Sequence, residues 1–142
     1  MNWSNEVFYD NQLTANETVK DITLHDICPN LKHNHVLNSP IFMINMDGEK
    51  ERTREKLEDY SFTNKDEAQV VSDYVLRLIV DLGLDAKQIA VIAPYYAQIE
   101  ELRRSIRFPV DVNTVDAFQG HEREVVIFCL VRDNNEGMES CD

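Results

Sequence analysis

Two short stretches carry side chains suited to holding a phosphorylated ligand. The first is Ala93-Pro94-Tyr95-Tyr96-Ala97-Gln98, where an apolar run stops at a proline and a helical pattern begins two residues on. Free backbone N–H groups and an aromatic ring meet at such a junction. A plain strand-to-helix turn with Tyr95 packed beneath it accounts for the same residues. The second stretch is Asn113-Thr114-Val115-Asp116-Ala117-Phe118-Gln119-Gly120-His121-Glu122. A threonine hydroxyl at a strand end can bind a phosphate oxygen without a charge. Gln119 both donates and accepts, and Gly120 lets the backbone come close to a ligand. Glu122 can orient a water or take a ribose hydroxyl. The plainer account is a turn capped by Asp116 with Phe118 in the core. A third group, His25, Cys28, His33 and His35, lies within eleven positions, but its spacing matches no common structural-zinc pattern.

These residues need elements to position them. Trp3, Val7 and Phe8 recur at helical spacing over Asn2–Tyr9, and Asn16–Ile27 is polar enough for a short helix. Pro29 to Pro40 marks a long loop. Ile41-Phe42-Met43-Ile44, closed by Asp47-Gly48, reads as a buried strand and turn, and Glu49–Asp59 as a solvated loop or frayed helix. Asn64 with Glu67 three residues on predicts an N-cap and capping box. A helix follows through Val70, Val71, Tyr74, Val75, Leu78, Ile79 and Leu82, with Gly83 as its stop. Ile89–Ala93 is continuously apolar, as in a strand covered on both faces. Ala97–Ile106 is a second amphipathic helix, Val110–Val112 a third strand, Val115–Gln119 a tight turn and Val125–Val131 a fourth strand. This order predicts an α/β layer fold with a mostly parallel sheet flanked by helices. Ligands then gather beyond the carboxyl ends of the strands, and both sharp motifs are expected on that edge.

Composition bounds the function. The 142 residues hold 26 acidic and 14 basic side chains, a formal charge of −12. That balance argues against a stand-alone nucleic-acid binder, since phosphate contacts need clustered Lys and Arg. Met1–Ala86 holds 16 acids against 8 bases, whereas Lys87–Arg132 is balanced at six each. The acidity therefore does not describe the part of the chain that carries the motifs. No apolar run approaches the ~20 residues that span a bilayer, so no membrane partner is expected. Three cysteines at no regular spacing favour a reducing, intracellular setting, nucleus or cytoplasm.

The run Thr114-Val115-Asp116-Ala117-Phe118-Gln119-Gly120-His121-Glu122, with Val125-Val126-Ile127 and Val131-Arg132, resembles motif V of superfamily 1B helicases. Ile89–Gln98 and Asn64-Lys65-Asp66-Glu67-Ala68 are similar to the strand, Pro-Tyr turn and helix start that precede it in that family. Met1–Tyr9 and Gln12-Leu13-Thr14 resemble the immunoglobulin mu-binding protein 2, or DNA2/NAM7-type, branch. The resemblance covers nearly the whole chain. It implies part of the second RecA-like motor domain, of P-loop NTPase type, of a 5′→3′ helicase. On it, residues 1–40 are a helical and loop lead-in to that domain, 41–132 its core and 133–142 an acidic tail.

The resemblance also implies roles. Pro94, Tyr95 and Thr114 would border single-stranded DNA or RNA, with Gln98 supporting the first two. Gln119 would link the sites, and Gln119, Gly120 and Glu122 would face ATP, with Glu122 catalytic in the complete enzyme. ATP and Mg2+ would act there with a first RecA-like domain as partner. His121 and Cys129 depart from the residues usual at their positions. The chain also has no Gly-x-x-x-x-Gly-Lys-Ser/Thr phosphate loop and no paired Asp-Glu for magnesium, and it lies between the Gln-Tyr-Arg-Met and arginine-bearing motifs. It is therefore expected to bind no ATP tightly and hydrolyse none by itself. An interaction module derived from such a domain, a zinc module and a flavodoxin-like ligand domain are the competing readings.

Overall fold

The computed structural model describes residues 2–27, 39–46, 56–58 and 60–132. The chain divides into two compact units, Met1–Phe42 and Met43–Asp142. In the first, helix α1 (Asn2–Tyr9) ends where Asp10 and Asn11 turn through left-handed φ values of 47° and 59°. The Asn5 amide group secures this turn by bonding both the N–H and the carbonyl of Leu13. Of the polar stretch Asn16–Ile27, only Leu24–Ile27 is helical (α2). Asp26 closes its first turn by accepting from the Thr23 N–H and hydroxyl. The loop expected over 29–40 lies mostly outside the described residues.

The second unit opens with an antiparallel hairpin, β1 (Lys56–Glu58) and β2 (Ser61–Thr63), turning at Tyr60 with φ 64°. Helix α3 (Lys65–Leu76) follows and continues as a π-helical turn over Arg77–Asp81 until Gly83, at φ 76°, ends it. Then come β3 (Ile89–Ala93), α4 (Tyr96–Ser105), β4 (Asp111–Thr114), a 3-10 turn over Asp116–Phe118, and β5 (Val125–Phe128). The sheet order is β4-β3-β5, and both pairings are parallel. All five residues of the central strand β3 are buried, as a continuously apolar strand between two covered faces requires. Helix α3 packs on α4, and α4 lies against β3, β4 and β2. Ala68, Val71, Val75, Ile99 and Leu102 give the two helices their inward stripes.

Three expectations are corrected. Ile41–Ile44 forms no strand, and Ile41 and Met43 are 84% and 81% exposed. Apolarity supplies a face to bury but no ladder partner, and among the described residues no strand lies beside this run. Lys56–Glu58, expected in a charged loop, is a strand, because pairing with Ser61–Thr63 satisfies its backbone whatever its side chains carry. Finally, β5 stops at Phe128. Val126 and Phe128 stay half exposed, so alternate residues of this apolar run face outward.

Candidate functional site

The carboxyl ends of the strands present one cluster. Ala93 pairs with Thr114 across β3 and β4, so Pro94 and the Thr114 hydroxyl leave the sheet side by side. Pro94 is exposed, and Tyr95 caps α4 in extended conformation. The Tyr95 ring does pack, but against the hairpin, meeting Phe62 edge-on at 5.3 Å and 72°. The Arg132 guanidinium lies 4.5 Å from the centre of the same Phe62 ring, within cation–π range. Thr114 Oγ1 accepts the Ala117 N–H at 3.3 Å, so Thr114, not Asp116, caps the 3-10 turn through its side chain. One lone pair and the hydroxyl proton remain for a ligand.

A buried polar network holds this edge from beneath. Gln98 has no exposed surface, and all its amide capacity is used inward. Its Oε1 accepts from Thr63 Oγ1 (3.1 Å) and the Asn64 N–H (2.7 Å), while Nε2 donates to the Asn64 carbonyl (3.0 Å) and Cys129 Sγ (3.2 Å). Asn64 caps α3 as expected, accepting from the Glu67 N–H at 3.0 Å. The capping box does not close, because Gln98 takes the Asn64 N–H that Glu67 was expected to hold. The Glu67 carboxylate instead accepts the N–H groups of Leu130 and Val131, each at 2.8 Å. These bonds hold a γ-turn in which the Arg132 N–H reaches the Leu130 carbonyl and Val131 sits at φ 73°. That conformation is strained for a β-branched residue, and the ionic clamp sustains it. Burial, with a smaller contribution from Glu67, pushes the Cys129 thiol above its ordinary range.

The second motif does not stay on this edge. From Thr114 the chain runs back along the sheet, with Phe118 packed on Ala90 and Ile92. It arrives at the amino ends of the strands: Val125 pairs with Ile89, and Arg123 bonds Asp111, the first residue of β4, at 3.0 Å. Glu122, Arg123 and Glu124 line a shallow depression there with Lys87 and Gln88. The expectation that Pro94, Thr114 and the Gln119–Glu122 bend share one edge is therefore corrected. Pro94, Tyr95 and Thr114 sit together, and Glu122 lies at the other end of strands about 13 Å long. The turn is too long to stop at a strand tip, and its aromatic anchor lies on the sheet face.

Gln119, Gly120 and Glu122 are exposed, and the Glu122 carboxylate makes no ion pair among the described residues. Gly120 has φ 79° with nothing within 4 Å of a Cβ position, so glycine is required there by backbone conformation. No three His, Cys, Asp or Glu side chains among the described residues gather to hold a metal. Cys28, His33 and His35 lie outside the described residues.

Phe62, Glu67 and Arg132 are the edge residues that residue patterns did not single out. Phe62 fell in a segment without periodicity. Glu67 carried the signal of a capping box, and Arg132 entered only as the last residue of the motif V resemblance.

Residues 1–140 match the AAA domain family. The chain is 36% identical over 138 residues to the DNA polymerase alpha-associated DNA helicase A of Schizosaccharomyces pombe, covering 92% of this chain and 21% of that protein. It is 35% identical over 138 residues to the DNA-binding protein SMUBP-2 of Rattus norvegicus, covering 95% and 14%. Over 104 residues it is 34% identical to the human DNA replication ATP-dependent helicase/nuclease DNA2, covering 70% and 9%. The chain thus spans about a fifth or less of these relatives. The matched span includes both ends of the sheet and the network between them, and the chain belongs to the AAA domain family, as a DNA2/NAM7-like helicase domain of superfamily 1.

Proposed function

We propose that this chain supplies part of the second motor domain of an ATP-dependent helicase and is inactive alone. The carboxyl edge, with Pro94, Tyr95 and Thr114, contacts single-stranded DNA or RNA. The loop Gln119–Glu122 faces ATP held mainly by a first RecA-like domain outside this chain, with Glu122 acting on the nucleotide in the complete enzyme. One observation carries the reading: Thr114 and Glu122 are the two ends of a single segment spanning the sheet, anchored midway by Phe118 on Ala90 and Ile92. A segment that touches a strand at one end and a nucleotide at the other can pass the state of either site to its partner.

ATP with Mg2+ supplies the phosphoryl-transfer chemistry when bound; this chain's own residues bind and orient. The test joins the chain to a first motor domain and the flanking motifs of a relative. Nucleic-acid-stimulated ATPase is expected, and Glu122→Ala is expected to abolish it. Full turnover in that variant overturns the role given to Glu122. A protein-interaction module would instead bind a protein partner with no dependence on Thr114 or Glu122.

A further inference from the structure

The reading above gives Arg123 no role, yet its side chain ties the bend that carries Glu122 to the sheet. The register sets Asp111 and Asn113 of β4 beside Ala90 and Ile92 of β3, so these four side chains share one face. Phe118 packs on that face over Ala90 and Ile92. Arg123 reaches it as well, donating from Nη2 to Asp111 Oδ2 at 3.0 Å, while Asn113 Nδ2 donates to the other oxygen of the same carboxylate. The guanidinium also lies 5.9 Å from the centre of the Phe118 ring, within cation–π range. The segment is therefore pinned twice, by Phe118 to β3 and by Arg123 to β4, with Gln119 to Glu122 between the pins. The His121 N–H closes this loop onto the Phe118 carbonyl at 3.0 Å, and its ring lies tilted against the Phe118 ring at 5.8 Å.

The other amino group of Arg123 acts on Glu122 itself. Nη1 donates to the Glu122 carbonyl at 2.6 Å, which fixes the peptide plane leaving the Glu122 Cα and restricts where its side chain departs. The guanidinium thus places its charge on Asp111 and its second donor on the main chain, and the Glu122 carboxylate beside it makes no ion pair among the described residues. Arg123 Nε is meanwhile buried without an acceptor, a cost that an arginine serving only a surface ion pair has no need to carry.

We propose that Arg123 is a positioning residue for Glu122: bridging Asp111 and the Glu122 carbonyl, it holds the bend so that the carboxylate meets the nucleotide already oriented. The inference rests on the role in ATP turnover proposed above for Glu122. A carboxylate placed in advance removes reorganisation from the reacting complex, so loss of the brace appears in kcat and not in nucleotide affinity.

The test measures ATP turnover at saturating single strand, and the affinity of a fluorescent ADP analogue, in the joined two-domain protein, with circular dichroism checking each fold. Arg123→Met keeps the apolar contact with Phe118 and is expected to lower kcat roughly ten- to a hundredfold, with affinity for the analogue unchanged. Asp111→Asn, which leaves Arg123 in place but weakly anchored, should lower kcat by less. Arg123→Lys keeps the charge and the Asp111 pair and should recover part of the rate, since an ammonium lacks the fork that bridges both partners. In the 142-residue chain, Arg123→Met should speed amide exchange at His121 and leave β3 unchanged. Should Arg123→Met not fold, Asp111→Asn and Arg123→Lys decide by the same kinetic and binding readouts. If Glu122→Ala abolishes turnover while Arg123→Met and Asp111→Asn keep the wild-type kcat, this inference alone is overturned. Unchanged exchange at His121 overturns it too, because the bend then stands without Arg123. If Arg123→Met weakens analogue binding many-fold at unchanged kcat, Arg123 touches the nucleotide itself and the positioning role fails. If Glu122→Ala turns over at the full rate, the reading of Glu122 fails and takes the inference with it.

Discussion

Gln98 shows how much of the site depends on a side chain that no ligand needs to touch. Its amide joins the end of the hairpin, the start of α3 and the end of β5 through four direct hydrogen bonds. Gln98→Leu keeps the volume but strands the Asn64 N–H and the Thr63 hydroxyl, while the Asn64 carbonyl keeps the Ala68 N–H. Each buried group left unpaired costs about 1–3 kcal/mol, so a loss of roughly 3 kcal/mol or more in urea unfolding is expected. An unchanged midpoint and slope would contradict the network. Cys129, at the other end of the amide, makes the environment measurable by pH. Its folded thiol is pushed up from the ordinary 9.0, so thiolate forms more readily in the unfolded chain. That contribution to stability is complete below about pH 9 and lessens as pH rises further. Between wild type and Cys129→Ala, the difference in unfolding free energy should shrink above about pH 9, by at most about 1.4 kcal/mol per pH unit. A constant difference would mean the thiol is not shielded as its burial indicates.

Among the elements, legibility followed how local the determining physics is. The helix from Asn64 to Gly83 and the central strand Ile89–Ala93 were readable, because cap, stripe and continuous apolarity lie within each segment. The hairpin was not: Lys56–Glu58 is too short and too charged to show a period, and its strand character comes from its partner. Ile41–Ile44 failed the other way, with strand composition but no ladder. At the site, Pro94, Tyr95 and Thr114 could be grouped from the rule of strand ends. The displacement of Glu122 to the opposite end depends on register and on Phe118 seating on Ala90 and Ile92, neither of which is written locally. Glu67 illustrates the same limit, since its partners are Leu130 and Val131 rather than the helix start beside it. Glu67→Ala should leave two backbone N–H groups without acceptors and release the strained Val131 turn. A loss of about 1.5–3 kcal/mol is expected, with the fastest gain in amide exchange at Leu130 and Val131. Uniformly unchanged exchange at those two amides would show that the turn stands without its clamp.

At the scale of the molecule, the separation of the two ends converts the fold into a claim about coupling. If Thr114 meets the single strand and Glu122 meets ATP, the two report to different parts of the same reaction. In a joined two-domain protein, Thr114→Val should therefore lower the stimulation of ATPase by single strands while sparing the unstimulated rate. Glu122→Ala should remove both. Phe118 is the discriminating position, because it touches neither ligand and fixes the segment between them to the central strand. Phe118→Leu keeps the site apolar at a cost of about 1–2 kcal/mol, which a folded domain of this kind can absorb. Looser seating lets the two ends move independently, so the predicted signature is near-normal oligothymidylate affinity and unstimulated rate with stimulation reduced several-fold. Stimulation retained in full would mean that the message between strand and nucleotide passes through another part of the protein, whatever Thr114 and Glu122 do separately.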